Sequence, residues 1–159
     1  MNRESNTYTI VYAAIMVALV AVALAFTSQV LKAPQEENVK IDKMEQILRS
    51  VHQAASGKKE VSQLYKTIIK QELLINAKGE VLRTFEGEEI ANNAAFNLNT
   101  ANQFKLLASN PDAELPLYIA EVDGAKKFII PLNGAGLWNV IWGYMAIDMD
   151  GTTVFGSDF

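Results

Sequence analysis

The chain has 159 residues, with 18 acidic against 14 basic side chains and a formal charge of -4, enough length for one domain and an appendage. That acidic balance, without any cluster of Lys and Arg, excludes an electrostatic grip on nucleic acid. With no cysteine and one histidine, His52, the chain cannot supply disulfides, thiolate or multi-histidine metal sites, or a cysteine nucleophile, and a hydrolytic triad would have to pass through His52.

Residues 1–9 form a short polar tail, and Ile10 to Phe26 then runs without a single charge. Continued to Leu31 as a helix, this stretch gives about 22 residues and roughly 33 Å of rise, enough to cross a bilayer core. The small-x-small sequence Ala23-Leu24-Ala25 behind Arg3 also admits a cleaved signal peptide. The apolar run is longer than a signal core and continues past that point, which favours a retained anchor over residues 10–31. Charge bias pulls against export, because Arg3 precedes the span while Lys32, Lys40, Lys43 and Arg49 follow it. The short tail and signal-like layout predict an extracytoplasmic domain.

Residues 32–38, K-A-P-Q-E-E-N, are expected to be a polar linker in which Pro34 ends the helix. Asp42 and Glu45 resemble a capping box, and Met44, Ile47, Leu48 and Val51 recur at helical spacing, so a helix is predicted from Asp42 to Ser56 with Gly57 as its stop. His52 near its end has no second histidine with which to share a metal and reads as structural. A second helix follows from Lys58 through Val61, Leu64, Tyr65 and Ile68.

Ile69–Ile75 and Val81–Phe85 flank the turn residues Asn76 to Glu80 and predict a hairpin. Glu86, Glu88 and Glu89 around Gly87 lack the alternating oxygen ligands of a calcium loop and read as a solvated loop. Residues 91–107 predict an irregular region with a short helix near Ala101. Leu117–Val122 and Lys127–Pro131 flank Asp123-Gly124-Ala125 as a second hairpin.

The densest stretch is Pro131 to Asp148, P-L-N-G-A-G-L-W-N-V-I-W-G-Y-M-A-I-D, which holds both tryptophans. Gly134 and Gly136 permit close approach of a backbone or a ligand, and Trp138 adds a flat apolar face with one N–H donor. The loop reads either as a cofactor wall or as a tight turn feeding a core strand. Asn139 to Ile147 is apolar on both alternating faces, which predicts a central strand covered on both sides. Asp148 to Gly151 then turns the chain into a further strand from Thr152.

One membrane helix, a small α+β domain and Gly134-Ala135-Gly136-Leu137-Trp138 with Gly143-Tyr144 together resemble the C-type subunit of the sodium-translocating NADH:quinone oxidoreductase. The G-type subunit of the Rnf electron-transport complex is a related family. The resemblance implies an FMN-binding-type domain over residues 39–159, with antiparallel sheet and packing helices, held in the bacterial inner membrane among other subunits of the complex. It implies a flavin-carrying electron-transfer role toward quinone, with no side chain of this chain acting as acid, base or nucleophile. Gly134, Gly136, Leu137 and Trp138 would then lie near FMN.

In that family FMN is attached covalently to the threonine of an S-G-A-T type motif downstream of the G-L-W stretch. This sequence contains no such motif. Thr152 and Thr153, in D-G-T-T-V, do not match it. The resemblance therefore implies that these residues are the N-terminal part of a longer subunit, with an incomplete core and weak or no FMN binding on their own. Composition and spacing alone would support a membrane-anchored or secreted binding module without redox chemistry.

Overall fold

The computed structural model describes residues 6–107, 109–110 and 112–159. Two compact units are present, one ending at Val39 and the other comprising Lys40–Phe159. The first helix, α1, runs from Asn6 to Ser50. Its N-terminal part is long and apolar enough to cross a membrane, and its large side chains, Val17, Leu24 and Phe26 among them, are exposed. A helix that is apolar around its circumference and exposed is suited to lipid rather than to a protein core.

The linker expected at 32–38 is helical, and Pro34 lies inside α1. Proline removes one backbone donor and crowds the carbonyl four residues earlier, but good helix formers follow it at Gln35, Glu36 and Glu37. Lys32 also reaches Glu36 one turn on, at 4.0 Å. The residues expected to start a new helix are interior to this one. Asp42 caps nothing, and Glu45 pairs with Arg49 at 3.6 Å.

α1 stops at Ser50, earlier than Gly57, because His52 adopts φ 59°. The His52 N–H donates to the Arg49 carbonyl at 2.9 Å and the Gln53 N–H to the Leu48 carbonyl at 3.0 Å, a Schellman termination with histidine in the usual glycine position. His52 is held there by its ring against Phe155 and by Nε2 at 3.0 Å from the Phe155 carbonyl oxygen. These contacts tie the end of α1 to the last strand, Val154–Asp158. Gly57, at φ 89°, instead precedes α2, Lys58–Ile68.

Six strands follow in one antiparallel sheet: β1 Ile69–Ile75, β2 Val81–Glu86, β3 Leu115–Val122, β4 Ala125–Ala135, β5 Val140–Asp148 and β6 Val154–Asp158. Their spatial order is β2-β1-β3-β4-β5-β6. The Asn76 side chain closes the first hairpin by accepting from the Lys78 and Glu80 N–H groups, both at 3.0 Å. Between β2 and β3 lie the short helices α3, Ala94–Asn97, and α4, Thr100–Leu107. Asn93 caps α3 by accepting from the Phe96 N–H at 2.9 Å.

The end of α1 lays Met44, Ile47, Leu48 and Val51 against Tyr118, Ala120, Ile129, Tyr144 and Ala146 of the sheet, with Val61 and Tyr65 of α2 and Phe96 of α3 completing the core. β5 departs from the sequence expectation. Gly143 and Tyr144 are buried, whereas Val140, Ile141 and Trp142 are exposed. β6 pairs with Tyr144 to Ile147, while the β4–β5 pairing runs on to Ala135 opposite Val140. Apolar alternation marks a strand but not how far that strand outruns the layer covering it.

Candidate functional site

The overhanging hairpin is the densest chemical feature of the Lys40–Phe159 unit. β4 and β5 pair without a break from Lys127 opposite Asp148 to Ala135 opposite Val140, and no charged side chain occurs from Phe128 through Ile147. The Gly136 N–H donates to the Asn139 carbonyl at 2.9 Å and closes the tip. A side chain at Gly136 would bring its Cβ to 2.6 Å from that carbonyl oxygen and 2.7 Å from Ile141 Cγ1. Close backbone approach therefore explains this glycine. Gly134, opposite Ile141, has open space where a Cβ would stand, so packing within the chain does not account for it.

Leu137 and Trp138 at the tip are 91% and 95% exposed. The four residues singled out in the sequence thus share one hairpin tip, and its two large side chains take no part in the core. Beside it a groove of about 530 Å³ is lined by Phe104, Leu115, Ile130, Leu132, Gly134 and Ile141 among others. No lining side chain is charged. Such a surface suits a flat apolar ring and offers no cationic side chain to a phosphate.

A second arrangement, not singled out in the sequence, lies in the core. Glu72 on β1 is fully buried. It accepts from Tyr65 Oη at 2.6 Å, from the Ala91 N–H at 3.2 Å and from Asn93 Nδ2. On α1, Lys43 Nζ donates to the Phe96 carbonyl and lies 4.7 Å from the centre of the Phe96 ring and 6.0 Å from that of Tyr118. Burial raises the Glu72 carboxyl above its ordinary range, while its hydrogen bonds and Lys43 pull the other way. The available signal was an acidic residue inside the run I-K-Q-E-L-L-I, but strand alternation there is broken by an irregular register near Lys70.

Burial lowers Lys43 to about 8 from an ordinary 10.5, with Glu72 opposing the shift. The unfolded chain therefore holds more protons than the folded one between those values. The Lys43 contribution to stability is complete above pH 10.5, the unfolded value, and is lost as pH falls through about 8. Urea unfolding from pH 7 to 10 is expected to show this rise, and Lys43→Met is expected to flatten it. Equal pH slopes in the two proteins would contradict the assignment.

No family model matches the chain. The C-type subunit of the Na(+)-translocating NADH-quinone reductase from Yersinia pestis is 30% identical over 98% of this chain. The crystal structure of the same subunit type from Parabacteroides distasonis superposes with a TM-score of 0.65 at 35% identity, covering 81% of this chain and 57% of that one. Over the length it shares with these proteins, the chain is similar to the C-type subunit in sequence and in fold. Another member, from Vibrio parahaemolyticus, is 31% identical over 79% of the chain. The chain spans 62% and 52% of the lengths of the Yersinia and Vibrio relatives. The likeness accords with the apolar N-terminal helix and the antiparallel sheet with small helices.

Proposed function

We propose that this chain is the flavin-carrying electron-transfer subunit of a membrane-bound sodium-translocating NADH:quinone oxidoreductase, passing electrons between partner subunits toward quinone. The observation that carries the reading is an uncharged hairpin tip presenting Leu137 and Trp138 beside an apolar groove, in a chain similar to the C-type subunits. The α1 span holds the Lys40–Phe159 unit at the membrane, on the extracytoplasmic side.

The residues present fit one part of FMN. Trp138 and Leu137 offer a flat face and an apolar edge for the ring system, and Gly136 keeps the backbone free of a Cβ where the tip closes. For the phosphate there is no match: the groove has no cationic side chain, and the sequence has no S-G-A-T type motif. Thr153 is occupied in the turn, donating from Oγ1 to Asp150 at 2.6 Å. When bound, the flavin supplies the redox change, while the protein contributes position, insulation and tuning.

Expression of the chain within the assembled complex tests the reading. Deleting the gene is expected to abolish NADH-driven quinone reduction, and restoring it to recover the activity. Trp138→Leu is expected to shift the visible spectrum and reduction potential of one flavin. Unchanged spectra and potential would remove Trp138 from the flavin seat, and full activity without the chain would remove the function.

A further inference from the structure

We propose that Phe104 on α4 is a movable wall of the apolar groove and clamps a flat ring against the sheet, an inference that rests on the flavin reading above. Among the described residues the groove is lined almost wholly from strands, with Leu115 of β3, Ile130 and Leu132 of β4 and Ile141 of β5 among them, and Phe104 is the one lining residue that a helix supplies. The strand side chains are set by ladder pairing that runs unbroken along β4 and β5. The helix has no such restraint.

Ala95 and Phe96 before α4 and Ala113 after it are buried, yet no described residue between Phe96 and Ala113 is. Asn99 caps the helix by accepting from the Asn102 N–H at 3.1 Å, and the Ser109 and Asn110 N–H groups close its far end on the Leu106 carbonyl at 2.9 and 2.7 Å. These bonds are all local, and among the described residues no hydrogen bond or ion pair joins Thr100–Leu107 to a strand. A helix of eight residues is marginal in water by itself, so α4 depends on its half-buried stripe of Ala101, Phe104 and Leu107. Elements with so few buried contacts open at free energies well below that of the whole domain. On the sheet side Gly134 leaves open space, and Phe104 supplies an aromatic ring from the helix side. Aromatic rings attract one another in offset or edge-to-face packing, so a ring seated in the groove favours the closed position of α4 through a contact made only there, which is the differential interaction a ligand-driven closure requires.

Two measurements test it. Hydrogen exchange of the full chain alone in detergent micelles is expected to show α4 exchanging about a hundredfold faster than β3 and β4. In the assembled complex α4 is expected to exchange slowly, and Phe104→Ala to restore fast exchange there and to shift the visible spectrum of the same flavin that Trp138→Leu shifts. If Phe104→Ala does not assemble, Phe104→Leu, which keeps the bulk but not the ring, carries the test with the same expected results. Exchange of α4 at the rate of β3 and β4 in the chain alone overturns the movable wall. A flavin shifted by Trp138→Leu but not by the Phe104 variant overturns the clamp and leaves the flavin reading standing, whereas a flavin shifted by neither removes the ring seat and the clamp with it.

Discussion

Glu72→Ala is expected to lower the unfolding free energy by about 3–5 kcal/mol, the range for removing one member of a buried charged arrangement. The loss is large because three donors, from Tyr65, Ala91 and Asn93, end on this carboxylate. The partly buried Lys43 also loses a nearby negative charge. Tyr65→Phe removes one donor and is expected to cost about 1 kcal/mol, near the usual net worth of a hydrogen bond. Urea unfolding of the two variants checks the ordering. A Glu72→Ala loss no greater than that of Tyr65→Phe would show that the carboxylate is not central to the core.

The second large effect concerns the α1 end. A protein beginning at Val39 keeps Met44, Ile47, Leu48 and Val51, all buried, and is expected to fold without a membrane. One beginning at Gln53 loses all four. At about 1.5–3 kcal/mol for each buried side chain, that loss matches the whole stability of a typical domain, about 5–15 kcal/mol. Circular dichroism and urea unfolding of the two proteins decide it. A cooperative transition in the shorter one would show that the sheet with α2 and α3 folds unaided. The helix that reads as an anchor at one end is thus core at the other.

Much of this architecture was legible in local pattern. Asn76 to Glu80 and Asp123-Gly124 announced their hairpins because turn chemistry is local, and the charge-free run from Ile10 announced a span because a bilayer imposes length and apolarity. The misses have a common physical origin. Pro34 and His52 were judged by intrinsic preference, yet the helix on either side of Pro34 and the ring of Phe155 beside His52 decide their conformations. The exposure of Val140 to Trp142 depends on what packs over that end of β5, which the strand itself does not encode. At the candidate site, the sequence marked Gly134 and Gly136 alike as points of close approach, and of the two only Gly136 has neighbours that a Cβ would meet. The Glu72 seat was not legible, since its donors come from three separate segments, Tyr65 on α2, Ala91 and Asn93, which only the fold brings together.

Both tryptophans stand on the one overhanging hairpin, Trp138 at its tip and Trp142 on β5, and the other phenolic or indole chromophores are five tyrosines. Light absorbed selectively by indole is therefore emitted from this hairpin alone. In the isolated chain the emission should be red and readily quenched from water, as for free indole. Any ring, polypeptide or lipid that covers the tip should turn it blue or dark, giving the protein an intrinsic optical report of whether this surface is engaged.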